Sequence, residues 1–116
     1  MKEKLILEQI MVSFSRLGAR LFRNNVGVLQ DKRGQHVKYG LCTGSSDLIG
    51  WHSVTVTPEM IGRKIAIFLA VEVKAGKTAV TGPQLDFLRA VKESGGICML
   101  VHDVETAEAL LRTMGK

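Results

Sequence analysis

Residues 65–74 constrain the fold more than any other stretch of the 116-residue chain. The segment opens with seven consecutive apolar residues, from Ile65 to Val71, rich in aliphatic and β-branched side chains. Seven is far short of the roughly 20 needed to cross a bilayer. A continuous aliphatic run of this length is expected for a central strand buried on both faces of a sheet, as in α/β proteins. The run stops at Glu72-Val73-Lys74, where two charges interrupt it.

The rest of the chain supplies elements to cover such a strand. Residues 3–17 place Ile6, Leu7, Ile10, Phe14 and Leu17 on one helical arc, which Gly18 should end. Residues 26–30 and 36–41 flank Asp31-Lys32-Arg33-Gly34, so a hairpin is expected. Residues 46–56 read as a strand with a bend at Gly50, and Pro58 and Gly62 then mark a loop. Thr81-Gly82-Pro83-Gln84 has the Thr-x-x-Gln form of a capping box with an early proline, opening a helix to about Glu93 with Leu85, Leu88 and Val91 inward. Ser94-Gly95-Gly96 closes that helix, and residues 97–101 form a short buried strand. Asp103 caps a final helix carrying Ala107, Leu110, Leu111 and Met114. The expected order is α-β-β-β-β-α-β-α in one domain spanning residues 1–116, with a parallel pair across the helical crossover.

Glu72 and Lys74 lie two apart on a strand and so project to the same face. Burying either charge unpaired is costly, so a carboxylate and an ammonium leaving an apolar strand together need a reason. A bare Glu-x-Lys is as readily an edge ion pair where a strand reaches solvent. Asp47 changes the weighing. It lies in Gly44-Ser45-Ser46-Asp47-Leu48-Ile49-Gly50, at the entry to the preceding strand, and would come beside Glu72 if the two strands pair. Two adjacent carboxylates repel unless a cation sits between them, and oxygen donors suit Mg²⁺ or Mn²⁺. Such a metal, on Asp47, Glu72 and the Val73 carbonyl, would polarise a phosphodiester and lower the pKa of a bound water. Lys74 would orient that water or offset charge in the transition state. Alone, Asp47 would be an ordinary turn or capping aspartate.

Asp47 followed 25 residues later by Glu72-x-Lys74 resembles the PD-(D/E)XK nuclease signature, with Ser46 at the position of the superfamily's proline. Within it the chain is similar to the VRR-NUC (virus-type replication-repair nuclease) family in its stand-alone phage and bacterial form. The resemblance rests on Phe22-Arg23-Asn24-Asn25, Tyr39-Gly40-Leu41, the Gly44-to-Gly50 segment, Val71-Glu72-Val73-Lys74 and Gln84-Leu85-x-Phe87-Leu88, in the family's order. It implies a restriction-endonuclease-like mixed β-sheet flanked by helices. It also implies a DNA endonuclease that needs Mg²⁺ or Mn²⁺ and no organic cofactor, and that leaves 5′-phosphates. The substrates implied are structured replication or repair intermediates such as branched DNA. Homodimers and the cytosol of a bacterium or phage-infected host follow from the same resemblance. Glu8, at the margin of the first helix's apolar arc, is otherwise a surface glutamate; the resemblance gives it a place at the metal. Gln84 is explained by the capping box, and the resemblance adds a position near the active centre. Two alternatives stay open: a restriction-type or RNA-directed nuclease, and a nucleic-acid-binding module without turnover.

Charge supports the nucleic-acid reading modestly. The net charge is +5, from 16 basic against 11 acidic residues, and reserving Glu8, Asp47 and Glu72 for metal leaves 8 acids. Arg20, Arg23, Lys32, Arg33, Lys38, Lys77 and Arg89 are candidate DNA contacts, with Lys32-Arg33 at a hairpin tip and Lys77 after the catalytic strand. Any one of them alone is more simply a solvated surface charge. Tyr39 and Trp51 could stack on bases, though lone aromatics in strands are usually core. Other motifs fail. Gly76-Lys77-Thr78 imitates the end of a phosphate-binding loop, but its required earlier glycine falls at Val71. His36, His52 and His102 share no metal spacing, Ser45 and Ser46 have no triad context, and Met11, Met60 and Met99 read as filler. Cys42 and Cys98 lack ligand spacing, which points to a reducing cytosol, and neither a secretory leader nor a membrane span is expected.

Overall fold

The computed structural model describes residues 2–113, so Met114, assigned above to the last helix, lies outside the described residues. The chain divides into two units, Met1–Val54 and Thr55–Lys116. The architecture is mixed α/β, as expected.

In the first unit, helix α1 (Glu3–Arg16) leads into strand β1 (Ala19–Arg23). Gly18 follows the helix at φ 91°, a left-handed conformation that ends helices and costs glycine least. The amphipathic face of α1 packs on β1. Leu7, Ile10 and Met11 are half-buried, whereas Ile6, Phe14 and Leu17 stay exposed, so the arc is narrower than expected. Strands β2 (Gly27–Gln30) and β3 (His36–Tyr39) form the expected antiparallel hairpin. Its tip is held by Asp31, whose Oδ1 accepts hydrogen bonds from the backbone N–H of Arg33 (2.8 Å) and Gln35 (2.9 Å). This is the local use for which aspartate is favoured in turns. Strand β4 (Leu48–His52) pairs antiparallel with β1, from Ala19↔His52 to Arg23↔Leu48.

Strand β1 corrects the expected order, which becomes α-β-β-β-β-β-α-β-α. Ala19-Arg20-Leu21-Phe22-Arg23 is only five residues with two arginines, so its local signal is weak; pairing with β4 makes it a strand. Gly50 is a second correction. No bend occurs there, because the register runs without interruption through Leu21↔Gly50. The glycine serves close approach instead: a Cβ at position 50 would collide with the Arg20 carbonyl.

In the second unit, a 3₁₀ turn at Pro58–Met60 precedes strand β5 (Leu69–Val73), helix α2 (Gly82–Glu93), strand β6 (Ile97–Val101) and helix α3 (Val104–Thr113). Strands β5 and β6 pair in parallel, from Leu69↔Ile97 to Val73↔Val101, with α2 as the crossover. Ala70, Leu88, Val91, Met99 and Val101 form the core, and Val91 is 1% exposed. Asp103 accepts a hydrogen bond of 2.7 Å from the Thr106 N–H, capping α3 as expected. That bond and the Thr106 side chain hold the Asp103 carboxyl below the usual aspartate range.

The double burial expected for residues 65–74 is not found. The regular strand is shorter, and its two faces differ: Ala70 is buried and Glu72 half-buried, but Leu69 and Val71 are each 45% and Val73 65% exposed. Helix α2 lies over the even-numbered face. The odd-numbered face meets α3, a helix of ten residues with none buried, across an apolar cavity of about 410 Å³.

Gly50→Ala should destabilise the first unit by about 1–3 kcal/mol, the usual cost of overpacking. In thermal unfolding this should lower Tm by roughly 3–6 °C for each kcal/mol lost. An unchanged Tm would show that β1 and β4 are not held at this spacing.

Candidate active site

Strand β5 delivers the central pair. Lys74 Nζ lies 3.4 Å from Glu72 Oε1, and the lysine side chain is 11% exposed against 26% for the glutamate. The Lys74 N–H donates to the Val101 carbonyl at 3.0 Å, extending the ladder past the strand's end and fixing the lysine backbone. On the neighbouring turn, His102 Nδ1 donates to the Lys74 carbonyl at 2.7 Å, so both backbone polar groups of Lys74 are held. No motif pointed to that role for His102; only the β5–β6 register places it there.

The Val73 carbonyl follows from the same ladder. Ile97 donates to the Phe68 carbonyl and Lys74 to that of Val101, and bonding residues alternate along a parallel strand. The even-numbered residues of β5 therefore face β6, and the Val73 carbonyl points to the opposite edge. Among the described residues of this unit, no other strand occupies that edge.

Gln84 sits where both of its roles are feasible. Its N–H donates to Thr81 Oγ1 (3.2 Å) and its Oε1 accepts from the Thr81 N–H (3.0 Å), a complete capping box. It also lines, with Glu72, Pro83 and Phe87, a cavity of about 420 Å³. The amide oxygen is spent on the cap, which leaves the NH₂ group as the part of Gln84 that could act in the cavity. The second unit thus pairs Glu72 with Lys74 and sets Gln84 on the cavity that Glu72 lines.

The first unit holds Asp47 and Glu8, in different places. Asp47 borders a polar cavity of about 620 Å³ lined by Asn24, Asn25, Val26, Tyr39 and Ser45. Its backbone carbonyl accepts from the Asn24 N–H at 2.8 Å. Glu8 is exposed on α1 and lines a separate shallow cavity with Leu5, Gln9, Val12, Ser13 and Arg16. Among the described residues of either unit, no three His, Cys, Asp or Glu side chains gather as a metal cluster. The donors themselves suit a hard divalent ion: carboxylate oxygens at Asp47 and Glu72, and an outward carbonyl at Val73.

The basic candidates are spread over the surface. Arg20 packs its guanidinium 5.2 Å from the Phe22 ring and 5.6 Å from Trp51, whose rings lie 5.7 Å apart. Arg23 Nη2 reaches Asn25 Oδ1 only at 3.5 Å. Lys32, Arg33, Lys38, Lys77 and Arg89 are exposed, and among the described residues none of these seven makes an ion pair. Lys32 and Arg33 stand on the Asp31-braced tip, and Lys77 follows β5 in the turn closed by Thr78 N–H to the Ala75 carbonyl (3.4 Å). Tyr39 is exposed rather than core and lies across Gly27, while Trp51 is half-buried.

The fold and the placement of the Glu72–Lys74 pair agree with a nuclease domain of mixed α/β architecture. The VRR-NUC domain model matches residues 2–105, and the chain belongs to that family of nuclease domains. Neither curated proteins nor solved structures yield a match to it. No helix among the described residues is long and apolar enough to cross a membrane.

Proposed function

We propose that the two units act as one nuclease domain, a DNA endonuclease that requires Mg²⁺ or Mn²⁺ and cuts structured replication or repair intermediates such as branched DNA. The observation that carries this reading is the Glu72–Lys74 pair: a lysine whose side chain is 11% exposed sets its ammonium 3.4 Å from Glu72, which lines a cavity with Gln84. Taking two charges from water costs several kcal/mol per ion, and apolar residues at such a place would often be as stable or more so. A carboxylate and an ammonium placed together beside a cavity supply an acidic ligand and a cationic donor for one reaction centre.

In this reading Asp47, Glu72 and the Val73 carbonyl hold the metal, with Glu8 at its margin. When bound, the divalent ion polarises the phosphodiester and supplies a water of lowered pKa. Lys74 offers three N–H donors at the end of a four-carbon chain whose backbone is held at the end of β5. Its part is to orient the attacking water and to offset charge growing on the phosphoryl oxygens. The NH₂ group of Gln84 donates to the same region. Arg20, Arg23, Lys32, Arg33 and Lys77 neutralise phosphates and set the register of the duplex, which makes binding strongly salt-dependent. A domain with one such centre makes paired cuts as a homodimer. The family match over residues 2–105, which spans both units, supports treating them as a single domain.

Asp47→Asn should lower single-turnover cleavage of a branched substrate by roughly two to three orders of magnitude, the scale of losing one transition-state stabiliser. DNA affinity measured without metal should stay within about twofold, because phosphate contacts dominate it. Wild-type rates in that variant would remove Asp47 from the centre. Lys74→Ala should slow the chemical step by a similar factor with little change in binding. If affinity collapses while the single-turnover rate holds, Lys74 is a phosphate clamp.

A further inference from the structure

The first unit buries one residue among those described, and it is polar: Asn24, 9% exposed. It lies just past the end of β1, and every polar atom of its side chain is used. Asn24 Nδ2 donates to Ser45 Oγ at 2.7 Å and to the Ser46 carbonyl at 2.9 Å, while Oδ1 accepts from the Leu41 N–H at 2.9 Å. Its own N–H donates to the Asp47 carbonyl at 2.8 Å, one step beyond the last β1–β4 pair, Arg23↔Leu48. One side chain and one amide thus hold residues 41, 45, 46 and 47.

The loop adds little regular structure of its own. Ser45 Oγ accepts from the Cys42 N–H (3.3 Å) and donates to the Cys42 carbonyl (2.6 Å), a local turn that places its oxygen against Asn24. No residue between Tyr39 and Leu48 belongs to a strand or helix. Ser46 Oγ donates to the Leu48 carbonyl at 2.8 Å across Asp47, so Asn24, Ser45 and Ser46 together set the conformation that presents it, and Asn24 ties the other two to β1. Other side chains cannot do this. Aspartate lacks the two N–H donors, and leucine would leave the Leu41 N–H and the Ser46 carbonyl without their Asn24 partner, at a cost of about 1–3 kcal/mol each.

We infer that Asn24 is a positioning residue for Asp47: it fixes the 41–47 loop so that the carboxylate is presented to the metal in one orientation. The inference rests on the proposed role of Asp47 as a metal ligand. Asn24 touches neither the metal nor the DNA in this scheme and acts through the loop. Groups that orient metal ligands are worth about 10- to 100-fold in metal affinity, which sets the expected effect.

The test measures Mn²⁺ binding by the whole chain without DNA, from the spin-resonance signal of free Mn²⁺, together with amide hydrogen exchange. Both are run well below Tm on wild type, Asn24→Ala, Ser45→Ala, the double variant and Asp47→Asn. Leu21→Ala, in the middle of β1, serves as a control for loss of stability alone. Asn24→Ala should weaken Mn²⁺ binding by about tenfold or more and speed exchange at Leu41. Ser45→Ala should weaken binding less, because Asn24 keeps its bonds to Ser46 and Leu41, and the double variant should fall short of the sum of the two single effects, since Ser45 and Asn24 are bonded to each other. Leu21→Ala should keep Mn²⁺ affinity within about twofold, the range expected when no ligand-orienting contact is lost.

Weakened binding in Asp47→Asn with wild-type binding in Asn24→Ala would overturn the inference alone and leave Asn24 a structural residue. Wild-type Mn²⁺ binding in Asp47→Asn would overturn the ligand reading itself, and the inference with it. Should Asn24→Ala fail to fold, Asn24→Asp decides: it keeps the acceptor for the Leu41 N–H and loses both donors to Ser45 and Ser46, and wild-type Mn²⁺ affinity there would overturn the inference.

Discussion

Two opposite charges leave the same face of β5 where solvent reaches them poorly. The Lys74 side chain is 11% exposed, and its ammonium lies 3.4 Å from the carboxylate of Glu72, which is 26% exposed. Neither charge could remain there without the other, because an unpaired ion in such a place is far more costly than a paired one. The surrounding structure serves this pair. The parallel β5–β6 ladder sets the strand end, and the Val101 carbonyl and His102 imidazole hold the Lys74 backbone. Helix α2, begun by the Thr81–Gln84 capping box, brings a carboxamide to the cavity that Glu72 lines. The core of Ala70, Leu88, Val91, Met99 and Val101 keeps these elements in place.

The first unit is built differently. Among its described residues the buried position is an asparagine, and the loop before β4 is ordered by hydrogen bonds rather than by apolar packing. A loop held this way is directional, since each bond fixes an angle as well as a distance. It also depends strongly on single atoms, because one lost partner leaves several groups unsatisfied. Such an arrangement suits a residue whose orientation matters more than its contribution to stability.

Much of this was legible in the sequence where local chemistry decides structure. The capping box at Thr81, the Asp31 hairpin turn, the Gly18 stop and the Asp103 cap each depend on residues within four positions of one another. Glu72 and Lys74 were assigned to one face by strand periodicity alone, and they form a pair. What escaped were features created by distant partners. Strand β1 exists through β4, more than twenty residues away, and its five-residue pattern gave little warning. Gly50 resembled a bend because close approach to the Arg20 carbonyl cannot be seen from residue 50. The apolar run of residues 65–71 suggested burial on both faces, whereas the short α3 leaves the odd-numbered face of β5 half open. Asn24 stood inside a family-like string, but its partners lie 17 to 22 positions ahead.

The most direct test of the proposed centre is cleavage of supercoiled plasmid with and without Mg²⁺ or Mn²⁺, wild type beside Glu72→Ala, with folding of both checked by circular dichroism. The account predicts nicking or linearisation by the wild type only when metal is present, and none by Glu72→Ala under the same conditions. Cleavage that persists in chelator, or that survives in Glu72→Ala at the wild-type rate, would contradict it.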